Sequence, residues 1–171
     1  RVNQAGLRLT NKQIFQYPTI DGLARVADTA PVIHAEQGIV EGSLPLTPIQ
    51  NWFFERNFQE SNHWNQSILV EALQPLKEEF LEETVAQLIN QHDGLRMRFE
   101  KQGSKWVQSY AGIDTPVPFE WVSLSEESEE QQVLRIESIS NDVQASLNLT
   151  QGPMLRIVYF DLGQDQPDRL L

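Results

Sequence analysis

The chain has 171 residues, 40% of them hydrophobic and 22% charged, and it holds no cysteine. That balance is globular, and it excludes disulfides, thiolate metal sites and cysteine nucleophiles. The net charge of −11 argues against a nucleic-acid partner, which needs a basic face. No apolar run reaches the ~18 to 20 residues that cross a bilayer, and RVNQAGLRLT lacks the basic-then-apolar layout of a secretory leader, so no membrane partner is expected and a cytoplasmic setting is the starting expectation.

Charge is unevenly spread. Residues 1–30 carry Arg1, Arg8, Lys12 and Arg25 against Asp21 and Asp28, a net +2 that leaves −13 for the remainder. Two units are therefore expected, residues 1–29 and 44–171. Between them, residues 30–43 (APVIHAEQGIVEGS) contain proline, two glycines and no sustained apolar period, as a linker would.

In chain order, Asn11–Gln16 reads as a short helix. Thr19 can cap a second one carrying Ile20, Leu23, Ala24 and Ala27 on one side. Thr47 is an N-cap followed by Pro48 at the first helical position and Gln50 at the capping-box position; the helix behind it is expected to bury Ile49, Trp52 and Phe53, with Phe54 facing elsewhere. Gln66–Ala72 has the length and branching of a strand. Leu76, Phe80, Leu81, Val85, Leu88 and Ile89 fall at helical spacing over Lys77–Gln91, with Gly94 as a stop. LRMRFEKQGSKWVQSY alternates on both sides of Gln102 and Gly103 and predicts a hairpin. A short strand at Phe119–Val122 follows. A helix then starts at Ser125, its inner face Val133, Ile136, Ile139, Val143 and Leu147. Met154–Leu162 and Arg169–Leu171 read as strands on either side of a turn. The order predicts an α/β domain with a mixed sheet. RLL opens an apolar strand and the first ten residues begin in mid-pattern, so more chain is expected at both ends, and a lobe cut inside its sheet would be marginally stable.

Little in these residues carries chemistry. His34, His63 and His92 are far apart and lack metal-ligand spacing, so no metal site is expected. There is no glycine-rich phosphate loop and no GxSxG elbow. The pairs Glu78-Glu79, Glu82-Glu83 and Glu126-Glu127 belong to solvated helix faces, and Trp52-Phe53-Phe54 is better explained as helix core than as a cofactor stack.

Several segments carry a resemblance. Residues 6–27, GLRLTNKQIFQYPTIDGLARVA, look like the C-terminal half of a peptidyl carrier domain from a nonribosomal peptide synthetase. PLTPIQNWFFE matches the opening PIQxWF motif of epimerization-type condensation-superfamily domains at Pro48, Ile49, Gln50, Trp52 and Phe53. HWNQSILVE at 63–71 and HDGLRMRF at 92–99, with His92, Asp93 and Arg96, look like the same branch, as does LTQGPMLRIVYFDLG at 149–163. The resemblance assigns residues 1–29 to a carrier-domain remnant and 44–171 to the N-terminal part of a condensation/epimerization domain. It implies a partial chloramphenicol-acetyltransferase-like lobe and a parent that epimerizes a carrier-tethered aminoacyl or peptidyl thioester. The cofactor it implies is 4'-phosphopantetheine on a carrier domain, and the partners are carrier domains and adjoining synthetase domains. The family's HHxxxDG motif does not occur here and the carrier serine is absent, so no catalytic residue is expected in this chain and it should be inactive alone. Arg96 is the candidate to hold the aspartate of that motif, against its being a surface strand arginine; Pro48, Ile49, Gln50, Trp52, Phe53, His92 and Asp93 are signature residues with structural roles. The alternatives are a condensing domain that forms peptide bonds, or a non-catalytic piece that docks carriers.

Overall fold

The structure, a computed structural model, describes residues 6–27, 38–113 and 116–171 and divides the chain into two compact units, residues 1–38 and 39–171. In the first, Thr10 caps helix α1 (Asn11–Gln16) through a reciprocal pair with Gln13, and Thr19 caps α2 (Ile20–Val26) by accepting from the Gly22 N–H at 3.1 Å. Gln13 Nε2 donates to the Val26 carbonyl at 3.0 Å and ties the helices together. Neither helix buries a residue; Phe15 and Ile20 are 85% and 88% exposed.

The second unit holds two sheets, where the sequence led us to expect one. Strands β1 (Gly42–Leu44), β3 (Met97–Gln102) and β4 (Lys105–Tyr110) form an antiparallel sheet in the order β1-β4-β3. β1 pairs Gly42 with Tyr110, so the sheet takes in the last residues of the stretch read as linker; residues 30–37 of that stretch, with His34, lie outside the described residues. The expected hairpin forms from Met97↔Tyr110 to Gln102↔Lys105, and Gly103, at φ +64°, makes the turn that other residues would adopt only with strain. Strands β2 (Val70–Glu71), β5 (Phe119–Ser123), β6 (Ile157–Asp161) and β7 (Arg169–Leu170) form a mixed sheet in the order β2-β7-β6-β5. Helix α5 (Glu129–Ala145) is the crossover that makes the β5–β6 pair parallel. The order of helices and strands is the predicted one with β1 added; β2, β6 and β7 are shorter than expected and β5 is one residue longer.

The core lies between this sheet and α5, where Leu124, Val158, Phe160 and Leu162 are buried and Ile136, Ile139 and Val143 pack against them. Two expectations for α5 fail. It starts at Glu129 behind a Ser128 cap, not at Ser125, and Val133 is 60% exposed. The turn before the helix rotates Gln132 inward instead, because its Nε2 supplies the Leu124 and Leu162 carbonyls at 3.0 and 3.3 Å. Helix α4 (Glu78–Gln91) is also barely covered: Val85 is buried, while Phe80 is 62% exposed.

Helix α3 (Pro48–Glu55) reverses the sequence expectation for the aromatic triplet. Phe54 is the buried member, stacked on Trp106 at 4.1 Å and tilted against Phe99 at 5.2 Å, whereas Ile49 is 68% exposed. Gln50 and Phe54, one turn apart, share the face toward the hairpin. Trp52 turns outward beneath the Arg56 guanidinium, and Phe53 joins an outer cluster with Phe58 and Trp64.

Candidate functional site

Where α4 ends, the segment HDGLR forms a 3-10 turn (Asp93–Arg96) that delivers Arg96 inward, 2% exposed. A guanidinium has five N–H donors in a rigid fork, and all five are engaged here. Nε donates to the Ala111 carbonyl at 3.1 Å, one terminal nitrogen to the Ile89 and Asn90 carbonyls at 2.7 and 3.3 Å, and the other to the Val40 carbonyl at 3.5 Å and to the Asp93 carboxylate. Arg96 therefore caps the C-terminal carbonyls of α4 and joins them to the end of β4 and to the chain entering β1. This corrects one sequence alternative: Arg96 is not a surface arginine, and its donors meet partners among the described residues. Asp93 completes the unit by accepting from the Val40 N–H at 3.4 Å, while His92 caps the end of α4 with its side chain exposed.

Two residues further on, Arg98 has the opposite circumstances. It is half-buried, donates to the Met97 carbonyl at 2.8 Å, and burial holds its pKa below the ordinary arginine value. Its guanidinium lies over Gly152, at φ +76°, in the place where any other residue would carry its Cβ. The positive φ favours glycine there, and a side chain would displace the Arg98 guanidinium. Arg98 forms no ion pair among the described residues, and with Gln151, Gly152 and Arg156 it lines a 390 Å³ cavity beside Arg96.

These contacts bring the four resemblance segments of this unit together. Gln50 receives the Thr47 N–H at 2.8 Å in the capping box and points its Nε2 at Met97 Sδ, 3.6 Å away, linking PIQNWF to HDGLRMRF. Phe99 N–H donates to the Leu149 carbonyl at 2.8 Å, which ties in LTQGP; the Leu149 N–H donates to Asn62, just ahead of HWNQ, at 2.9 Å, and Asn65 of HWNQ donates to Gln144 of α5 at 3.1 Å. Gln50 sits within this framework; Pro48, Ile49 and Trp52 are exposed, and Phe53 belongs to the outer aromatic cluster. Gln108, 1% exposed, donates to the Pro45 carbonyl at 2.6 Å and fixes the approach to α3.

Sequence reasoning missed a further pair behind β6. Tyr159, fully buried and stacked on Trp121, donates its hydroxyl to Asp168 at 2.6 Å and accepts from the Leu76 N–H at 3.2 Å. Burial first, and Asp168 second, push its pKa above the ordinary value of 10.0. The only hint was an aspartate among turn residues before an apolar strand.

Chemically, the assembly holds backbone carbonyls and aromatic faces in place. Among the described residues no three His, Cys, Asp or Glu side chains gather where they could hold a metal ion. His63 and His92 are exposed, and neither side chain hydrogen-bonds a described residue. No helix among the described residues is long and apolar enough to cross a membrane.

The comparisons with known proteins fit this framework. The family model of the Condensation domain matches residues 40–170. One subunit of the linear gramicidin synthase of Brevibacillus parabrevis is 48% identical over the whole of this chain, and surfactin synthase subunit 2 of Bacillus subtilis (strain 168) is 42% identical over 91% of it. The chain spans 3% and 4% of the length of these two relatives. Among solved structures, the epimerization domain from the third module of tyrocidine synthetase B superposes with a TM-score of 0.70 at 31% identity, over 80% of this chain and 30% of that one. The first condensation domain of the calcium-dependent antibiotic synthetase does so with a TM-score of 0.64 at 18% identity, over 75% and 31%, a likeness of fold alone. The mixed α/β unit thus has the chloramphenicol-acetyltransferase-like fold of these domains, and the chain belongs to the condensation domain family of nonribosomal peptide synthetases.

Proposed function

We propose that residues 44–171 are the front part of an epimerization-type domain and that residues 1–29 are the end of the carrier domain before it, joined by the linker at 30–43. The parent inverts the alpha carbon of an aminoacyl or peptidyl thioester, L to D, in the cytoplasm. It works together with carrier domains and adjoining synthetase domains. The observation that carries the reading is the epimerization domain at 31% identity and TM-score 0.70, against 18% for the condensing domain. The PIQNWF and HDGLR segments support it. The synthetase match over the whole chain, which starts ahead of the family model's residue 40, supports the carrier remnant.

The chain's own residues supply scaffold. Nothing before Ser43 is a serine, so the first unit cannot bear a phosphopantetheine arm, which belongs to a carrier serine elsewhere in the parent and delivers the substrate as a thioester. A thioester acidifies the alpha proton, and a positioned base and donor lower the rest of the barrier. Without HHxxxDG the chain by itself performs no such step. Arg96, buried at the α4–β3 corner, is the residue that would support the missing motif of the parent.

Condensation is the second reading, favoured by the family model, which carries that description. Reading the parent coding sequence past Leu171 separates the two. The epimerization reading expects HHxxxDG within a few codons and no adenylation domain directly after the domain. An adenylation domain following it establishes condensation, and a stop codon in place of the motif leaves a carrier-docking piece.

A further inference from the structure

Where the C-terminal half of α3 meets the tip of the β3–β4 hairpin, the second unit carries a cavity of 560 Å³ that the framework around Arg96 does not use. Its floor is aromatic. Trp106 stacks on Phe54 at 4.1 Å with the rings 18° from parallel, and the half-buried indole still borders the cavity. Lys101 stands directly opposite Trp106 in the hairpin register, so its stem shares the face toward α3, and Lys105 begins the returning strand beside it. Both lysines line the cavity, and neither forms an ion pair among the described residues, although the chain has a net charge of −11.

On the α3 wall, Asn51 and Glu55 lie one turn apart on a single side. Asn51 donates from Nδ2 to the Leu46 and Thr47 carbonyls at 3.4 and 3.3 Å, which leaves its Oδ1 to accept. The Glu55 carboxylate forms no ion pair among the described residues. The cavity thus presents a flat ring to stack on, cations on the hairpin wall and acceptors on the helix wall.

We propose that this cavity binds a nucleoside monophosphate whose base carries an exocyclic amino group, adenine being the simplest case. The base lies on Trp106, its amino group donates to Glu55 and to the Asn51 amide oxygen, and the phosphate takes Lys101 and Lys105. A single phosphate needs only the lysine pair, whereas a nucleic acid needs a broad basic face, which a net charge of −11 does not supply. A free amino acid carries both of its charges on one carbon, while the two walls call for them at separate ends. The volume falls within the range of about 300–1,000 Å³ usual for small-ligand sites. Both walls are complete elements of the second unit, and the site stands whether the parent epimerizes or condenses.

The test is a titration of the isotope-labelled chain with adenosine monophosphate at low ionic strength, followed by NMR at the Trp106 indole N–H and the Gly103 and Lys105 amides. Inorganic phosphate, adenosine and inosine monophosphate, which has no amino group, are the comparison ligands. Saturable shifts confined to the hairpin and α3 are expected. Adenosine monophosphate should bind at least about tenfold more tightly than phosphate or adenosine, and at least about threefold more tightly than inosine monophosphate. Lys101→Ala and Lys105→Ala should each weaken it about fivefold, while Arg56→Ala, whose guanidinium lies over Trp52, leaves it unchanged. Unshifted Val158 and Phe160 amides show that each variant is folded. The proposal is overturned by the absence of a saturable shift, by phosphate or inosine monophosphate binding as tightly as adenosine monophosphate, or by binding indifferent to both lysine substitutions.

Discussion

The two sheets of the second unit are built by opposite means. The three-stranded sheet rests on a hairpin whose six residue pairs are close in sequence, and it is sealed from outside by Phe54 and by the Arg96 fork. The four-stranded sheet depends on a helix crossover for its five parallel pairs, and its β2 and β7 strands are two residues long. Local pairing closes its loops at small entropic cost, whereas the crossover sheet relies on distant partners being in place. Side-chain hydrogen bonds do work of different reach in each: Arg96 joins three segments in the first, and Gln132 and Tyr159 join two each in the second.

The largest way to break the comparison is Arg96→Ala. It leaves the Asp93 carboxylate and the Ile89 and Ala111 carbonyls without their donor and is expected to cost about 3–5 kcal/mol in chemical denaturation. Arg98→Ala, at a half-buried side chain with one backbone bond, is expected to cost under ~1 kcal/mol in the same experiment. Next is Phe54→Ala, at about 3–4 kcal/mol, set against Trp52→Ala at under ~1 kcal/mol; equal losses would restore the face expected from sequence.

In the four-stranded sheet Tyr159→Phe removes a hydroxyl bonded to Asp168 and Leu76 and is expected to cost about 1–2 kcal/mol. Its pH dependence follows from the raised pKa. The folded state favours the protonated phenol, so the contribution is complete below the ordinary value of 10.0 and is lost as pH rises through the higher folded value. Stability curves of the unsubstituted chain and of Tyr159→Phe should thus converge above pH 10.0 and run parallel below it. The smallest effect is Val133→Ser on α5, within ~0.5 kcal/mol, because that side chain is 60% exposed.

Periodicity made the α/β class, the hairpin, the capped helices and the apolar β6 legible, since each is a local pattern. The split into two sheets was not legible, because strand partners are chosen by tertiary contact. The aromatic triplet offered no polar gap to set its phase, so the choice between Trp52 and Phe54 fell to packing against Trp106, a residue distant in sequence. Gln132 was passed over for Val133 because a buried amide is recognised only by the carbonyls it serves. For the same reason Arg96 was legible as important while its burial was not: its partners come from α4, the end of β4 and the approach to β1. The resemblance placed the right segments side by side; it did not say which of their residues touch.

Central to the proposed function is the reading of this chain as scaffold of an epimerization-type domain whose reactive groups belong to the rest of the parent. The most direct measurement is deuterium incorporation at the alpha carbon of a carrier-tethered peptidyl thioester in D2O, with the parent synthetase and with this chain alone. Incorporation, with D and L products, is expected for the parent and none for the chain. Peptide-bond formation by the parent without incorporation, or incorporation by the chain alone, would contradict it.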